Sequence, residues 1–168
     1  MKTYTHKRPE AEKVIRNSVW WSLAVGAIPI PFLDLGSVSM IQMEMMRDLC
    51  KLYDVPFNEK ELTSRFMALV GGSAPRVVSN VIKFIPIVGI VSKVSMPFMS
   101  ALSTYSMGQV LLRHFEEGGK TLTFNMEAAR GFYAESLQEG KKVVQEQLAR
   151  LKHKKNKDIL VAEDITWQ

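Results

Sequence analysis

Apolar residues form two long blocks along the chain, and both blocks are interrupted by the same tripeptide. The block from Val19 to Met40 contains Ile28-Pro29-Ile30, and the block from Arg76 to Met96 contains Ile85-Pro86-Ile87. Proline lacks a backbone donor and clashes with the preceding helical turn, so each apolar helix must end or turn there. The pattern predicts two helical hairpins, each with a proline in its turn.

Both predicted turns are apolar, whereas most turns carry polar residues and glycine. An apolar turn has to be buried against protein or against lipid, so its residues are candidates for contact with a membrane or a partner. The second turn is flanked by lysines whose long stems would let the ammonium groups reach the phosphate level of a bilayer. The alternative is that the turns close a soluble core and the lysines lie outside it. The candidate residues are Ile28, Pro29, Ile30, Pro31, Phe32 and Leu33 in the first turn, Phe84, Ile85, Pro86, Ile87 and Val88 in the second, and the flanking Lys83 and Lys93.

The rest of the chain predicts helices and no sheet, because no segment alternates with a period of two. Capping and stopping residues mark the helix ends, with Asp34 as the structural cap of the second helix. The expected helices are Pro9 to Ile28, Asp34 to Tyr53, Asn58 to Gly71-Gly72, Ser73 or Pro75 to Ile85, a helix bent at Pro97 that ends near Phe115 before Gly118-Gly119, and Asn125 to Leu151.

We therefore expect an all-α protein made of two proline-broken helical hairpins and a C-terminal amphipathic helix. The length of 168 residues suits one domain with a real core. The expected parts are a basic N-terminal segment (1–13), a hairpin domain (14–120), the amphipathic helix (121–152) and a basic, polar tail (153–168).

Two further pairs of residues are candidates for contact with lipid or a partner. Trp20 and Trp21 are adjacent and point about 100° apart on a helix, so we expect one in the core and the other at a membrane interface or contact site. Met43 and Met46 lie beside the main apolar stripe of the second helix. Methionine suits adaptable binding grooves, although filling the core is its more common role.

The charge of the chain restricts its partners. The net charge is +5, and the basic residues lie mainly at the two ends of the sequence rather than among exposed aromatics. Nucleic acid is therefore not favoured, and an anionic membrane surface or an acidic protein fits better. The single cysteine, Cys50, cannot form an internal disulfide, and its position on an apolar helix predicts a buried structural thiol.

Neither a membrane-spanning helix nor a catalytic site is predicted. The uncharged run from Ser18 to Leu33 contains two prolines and is shorter than the roughly 20 residues that a span needs. Gly119-Lys120-Thr121 imitates a phosphate-binding loop, but His114 occupies the place of the required earlier glycine. The three histidines are far apart in the sequence. We expect no catalytic, cofactor-binding or metal-binding residues.

The order of motifs resembles one known family. An Ala-Val-Gly-Ala-Ile-Pro-Ile-Pro-x-Leu-Asp segment (24–34) precedes an Ile-Gln dipeptide (41–42), a Leu-Tyr-Asp-Val stretch (52–55), a Gly-Gly pair (71–72) and an Ile-Pro-Ile-Val-Gly turn (85–89). This order, over about residues 14–115, resembles the bacterial domain-of-unknown-function family numbered 697. The resemblance implies an all-helical, membrane-associated domain and a separate Era-like GTPase as partner, and it supplies no catalytic residues. Lys83 departs from a wholly apolar second turn.

The sequence therefore predicts a non-enzymatic, membrane-associated interaction module at the cytoplasmic face of the inner membrane, and the resemblance implies a separate Era-like GTPase as its partner. The alternative is a soluble cytoplasmic adaptor that binds a partner helix, or forms a homo-oligomer, through its methionine-rich face.

Overall fold

The computed structural model describes residues 4–26, 34–69, 91–119 and 125–165, and these residues are almost wholly helical. Within those ranges no strand is present, which confirms the all-α class. Both predicted turns and the predicted fourth helix lie outside the described residues. A 3-10 turn (Tyr4–Lys7) precedes the helices α1 (Arg8–Gly26), α2 (Asp34–Leu52), α3 (helical over 59–69), α4 (Val91–Glu116) and α5 (Met126–Ile165).

The predicted helix caps are present where their side chains are described. The Asn58 side-chain oxygen accepts a hydrogen bond from the backbone N–H of Glu61 at 3.2 Å. Asn125 caps α5 by accepting from the N–H groups of Glu127 and Ala128, at 2.9 and 3.1 Å. These bonds satisfy donors that have no partner within a helix. Asp34 is the first residue of α2, as predicted, but its side chain lies outside the described part, so its role as a cap stays a prediction.

Two helices end in a residue with left-handed backbone conformation. Gly118 ends α4 with φ 90°, and the next N–H, of Gly119, bonds the carbonyl of His114 at 3.0 Å. α2 ends in the same way, but its left-handed residue is Asp54, at φ 57°. The first end confirms the predicted glycine stop, because glycine adopts this conformation without strain. The second end lies within one residue of its predicted position at Tyr53, but the left-handed aspartate was not predicted.

The chain is more helical than expected towards its C-terminus. α1 begins at Arg8, one residue before the predicted start at Pro9, and Ala11 in its first turns is fully buried. α5 continues to Ile165, so its predicted end at Leu151 is wrong. The reason is local, since neither glycine nor proline follows Gly140 to stop the helix. At 1.5 Å per residue, α5 is about 60 Å long.

The helix α1 packs against both α4 and α2. Its contact with α4 is antiparallel, because Arg8 pairs with Glu116 at one end and Ser22 bonds Thr104 further along. The helices approach closely at Gly108, where an added methyl group would lie 2.7 Å from Cγ1 of Ile15. The largest fully buried side chains form one core: Ile15, Val19 and Leu23 of α1, Met45, Met46 and Leu49 of α2, Leu62 and Leu69 of α3, and Leu102, Leu111, Leu112 and Phe115 of α4.

The long helix α5 crosses α4 and touches α1. The hydroxyls of Tyr133 and Ser103 are 3.1 Å apart, and Gly140 lies against the ring of Tyr105. Further along α5, the Gln147 amide donates to the backbone carbonyl of Arg16 at 3.3 Å. These contacts place α5 on one flank of α1 and leave the α2 side of α1 to a separate groove.

Candidate membrane-contact surface

One end of the bundle formed by α1, α2 and α4 is rich in ion pairs, and we call it the ionic end. It lies where α1 begins and where α2 and α4 finish. In addition, the Lys7 ammonium donates to the carbonyl of Leu52 at 2.6 Å, which ties the start of the chain to the end of α2. The ion pairs at this end are Lys7–Asp54, Arg8–Glu116 and Arg113–Glu117, with N–O distances of 2.9, 2.8 and 2.9 Å.

The opposite end of the same three helices is almost free of charge, and we call it the uncharged end. Residues 17–26 of α1, 35–43 of α2 and 94–106 of α4 contain no Asp, Glu, Lys or Arg. The exceptions are Asp34 and Lys93, in the first turns of α2 and α4. Ten helical residues span about 15 Å, which is half the hydrocarbon thickness of a bilayer.

Three polar side chains of the uncharged end, Ser22, Gln42 and Thr104, bond one another. The hydroxyls of Ser22 and Thr104 are 3.0 Å apart and fully buried. The Thr104 oxygen also accepts from the Gln42 amide at 3.1 Å and donates to the carbonyl of Ser100 at 2.9 Å. A hydroxyl has one proton and two acceptor positions, so Ser22 must be the donor in its pair and Thr104 is fully satisfied. This cluster joins α1, α2 and α4.

Large apolar side chains at the same end point outward. Trp21 is 50% exposed and Met40 is 74% exposed. Trp20 is half-buried and meets Trp21 edge to face, with ring centroids 4.9 Å apart. Neither tryptophan is fully buried, so the predicted division between core and contact site takes the weaker form of one half-buried and one exposed ring. A surface that faces lipid or another protein is expected to expose apolar side chains and to keep its polar side chains in the interior.

The predicted methionine contacts lie mostly inside the protein. Met46 is 2% exposed and belongs to the core, and Met43 is half-buried with its sulfur 3.7 Å from the hydroxyl of Thr63. Met46 therefore fills the core, as the common role of methionine suggests, and is not a surface contact of this chain. Among the side chains that the structure describes, the exposed methionines are Met40 and Met67, at 74% and 72%. Met40 lies at the uncharged end, about one turn before Met43 on α2.

Most of the predicted contact residues belong to the two turns. The first turn, the second turn and Lys83 lie outside the described residues, and so does the side chain of Lys93. The described ends that lead to the turns lie together, however. α1 and α4 are antiparallel, so Gly26, at the end of α1, and Val91, at the start of α4, belong to the same end of the bundle. That end is the uncharged end.

A groove of about 310 Å³ runs between α1 and α2, next to Trp21. Its lining combines three apolar side chains, half-buried Val14 and Ile41 and buried Met45, with the polar Asn17 and Ser18. Its rim carries two exposed carboxylates of α2, Glu44 and Asp48. This groove was not predicted from the sequence, since it depends on how two helices pack.

The titratable groups with shifted pKa values belong to the core. Burial raises the pKa of the Cys50 thiol to about 11, and burial also raises the pKa of the Tyr133 hydroxyl. Cys50 is a buried free thiol, as predicted. Across the four described ranges, no group of three or more His, Cys, Asp or Glu is arranged to hold a metal ion. The same ranges contain no helix with the length and apolar character needed to cross a bilayer.

Comparisons with known proteins agree with the resemblance found in the sequence. The model of a family described as a domain of unknown function, DUF697, matches residues 2–153. Magnetosome membrane protein 22 of Magnetospirillum gryphiswaldense is 31% identical over 146 residues, which cover 83% of this chain and 75% of the relative. No solved structure matches the chain.

Proposed function

Because the chain belongs to the DUF697 family of domains of unknown function, we propose that it is a non-enzymatic, membrane-associated helical interaction module. The observation that carries this proposal is the uncharged end, where Ser22, Gln42 and Thr104 bond one another inside while Trp21 and Met40 are exposed. The name of the relative, a magnetosome membrane protein, supports the same function.

The uncharged end would rest in one leaflet, with the ionic end in water. Lipid offers no hydrogen bonds, so polar groups at that depth must be satisfied within the protein, and the bonds around Thr104 meet that condition. Tryptophan favours the interface between headgroups and hydrocarbon, which suits Trp20 and Trp21. The two apolar turns would enter deepest, with Lys83 and Lys93 reaching anionic phosphates at the cytoplasmic face.

Flotation with anionic vesicles tests the proposal. We expect the wild-type protein to float with the vesicles and Met40→Glu to float much less, because a carboxylate at an exposed apolar position resists transfer into lipid. Met67→Glu is the matched control, because Met67 is about as exposed but lies on α3, outside the residues that define the uncharged end. The backbone carbonyl of its neighbour Ala68 accepts a bond from Arg130, near the start of α5. The double variant Phe32→Asp with Ile87→Asp should also stay in solution.

Two results would end the lipid proposal. One is a wild-type protein that stays unbound with anionic vesicles. The other is a Met40→Glu variant, or the double turn variant, that floats as well as Met67→Glu. The alternative function, a soluble adaptor, predicts the first result. The contact of such an adaptor with its partner would then centre on Met40, since Met46 lies in the core.

We also propose a separate Era-like GTPase as the protein partner, on the basis of the family resemblance. The test is co-purification of the tagged chain with the Era-like GTPases of its own host, in the presence of GDP and of a non-hydrolysable GTP analogue. If none is retained in either nucleotide state, the GTPase partnership is wrong while membrane association is unaffected.

A further inference from the structure

The groove between α1 and α2 has the shape and lining of a site for a helix. Its apolar lining consists of Val14, Ile41, Met45 and half-exposed Trp21, beside the polar Asn17 and Ser18. Helices dock in such grooves through residues spaced three and four apart, because these residues share one face. The groove is about 310 Å³ in volume, enough for several apolar side chains of one helix face.

The rim of the groove is acidic although the chain as a whole is basic. Glu44 and Asp48 are exposed and lie one turn apart on α2, where two like charges destabilise a helix. The cation between them, Arg47, lies over the ring of Phe57 at 5.2 Å. Neither carboxylate forms an ion pair with any residue in the described part of the chain. A cation from outside would relieve this repulsion.

We propose that this groove binds a basic amphipathic helix of a partner protein. The apolar stripe of that helix would cover Trp21, Ile41 and Met45, and its lysines or arginines would pair with Glu44 and Asp48. Charge complementarity selects this occupant, because the chain carries a net charge of +5 while the rim of this groove carries two carboxylates without an ion pair in the described part. The inference does not depend on membrane binding, but a docked helix and the lipid interface would compete for Trp21, which lines the groove.

Other occupants fit the groove less well. Anionic lipid headgroups would be repelled by the two carboxylates. The helix α5 of the same chain lies on another flank of α1, where Gln147 bonds the backbone of Arg16, and so it does not fill the groove. A second copy of the chain could offer its own basic segment, 150–157, and the experiment distinguishes that case.

The experiment measures peptide binding by the fluorescence of Trp21 in the absence of lipid. Trp20→Phe and Trp167→Phe leave Trp21, which lines the groove, as the single tryptophan. The probe is an 18-residue helical peptide with leucines on one face and lysines on the rest, and its counterpart has glutamate for every lysine. We expect the lysine peptide to shift the Trp21 emission to the blue and the glutamate peptide to leave it unchanged.

Matched variants locate the binding site. Glu44→Gln with Asp48→Asn should weaken binding of the lysine peptide at least tenfold. Glu10→Gln with Glu59→Gln removes two exposed carboxylates outside the groove and should change the affinity less than twofold. Equal weakening by both pairs, equal binding of both peptides, or no binding of the lysine peptide would overturn the proposal. If a peptide of residues 148–165 binds more tightly than the lysine peptide, and again depends on Glu44 and Asp48, the occupant of the groove is a second copy of the chain and not a partner protein.

Discussion

Burial determines the chemistry of Cys50, the single cysteine of the chain. Its side chain is fully buried, and burial raises the pKa of the thiol from 9.0 to about 11. Between these two values the unfolded chain releases the thiol proton while the folded chain keeps it. The stability contributed by the neutral thiol is therefore complete below pH 9 and is lost as the pH rises towards 11.

We expect the free energy of unfolding to fall by about 2 kcal/mol between pH 8.5 and pH 10.5 through this one group. Urea denaturation at the two pH values measures the fall. In Cys50→Ala the fall should be smaller, although the smaller side chain lowers stability equally at both values. Burial raises the pKa of Tyr53 to about 12, so this residue affects the pH dependence of stability mainly above pH 10. A fall of the same size in wild type and Cys50→Ala would show that other groups cause it.

Single residues were predictable from the sequence where their role is local. Asn58 and Asn125 cap the helices that follow them, and Gly118 ends α4, because each role depends only on neighbours along the chain. The left-handed conformation of Asp54 at the end of α2 was not predicted. An aspartate in left-handed conformation leaves no clear mark in the sequence, and the support that it receives from Lys7 comes from 47 positions away.

At the scale of helices, two glycines in helix interiors have opposite roles. Gly108 lies where α1 and α4 touch, and an added methyl group would lie 2.7 Å from Cγ1 of Ile15 and 3.1 Å from two more of its carbons. Gly131 is exposed on α5 and has nothing within 4 Å of the same added group. Glycine destabilises a helix interior at both positions, but of the two only Gly108 permits close packing of helices.

We expect Gly108→Ala to lower the free energy of unfolding by about 1 to 3 kcal/mol, because the branched side chain of Ile15 is stiff and the helices must separate. Gly131→Ala should raise it by about 0.5 to 1 kcal/mol, since alanine favours the helix and meets no neighbour. Chemical denaturation of the two variants measures both changes. A stabilised Gly108→Ala protein would contradict the close contact of α1 with α4.

Helices were easier to predict than their contacts. The starts of α1 and α2 and the end of α4 agree with the sequence to within about two residues, because periodicity and stop signals are local. The inward cluster of Ser22, Gln42 and Thr104 was not predicted, since scattered hydroxyls have no period of their own. Met46 illustrates the same difficulty. Because residues beside the main apolar stripe of α2 also pack against other helices, a methionine in that position can be buried in the core.

At the scale of the whole molecule, the bundle is asymmetric in charge along its length. The ion pairs Lys7–Asp54 and Arg8–Glu116 lie at one end, and exposed Trp21 and Met40 lie near the other. A protein with this asymmetry should approach a membrane in one orientation. The effect of removing a positive charge should then depend on which end carries it, and not only on the net charge.

Lys93 and Lys51 make a matched pair for this question. Lys93 lies in the first turn of α4, at the uncharged end, and Lys51 lies in the last turn of α2, next to the ionic end. Residues 34 and 51 of α2 are about 26 Å apart along the helix axis, more than twice the Debye length of about 10 Å in 0.1 M salt. Either substitution by glutamine lowers the net charge equally.

We expect Lys93→Gln to weaken binding to anionic vesicles by about three- to tenfold, because a lysine near the membrane surface contributes about 1 kcal/mol. Lys51→Gln should change binding less than twofold, since salt screens a charge so far from the lipid. Vesicle titration in 0.1 M salt, with the fraction of anionic lipid varied, measures both affinities. Equal weakening by the two variants would mean that the membrane attracts the net charge of the chain and that the uncharged end does not orient it.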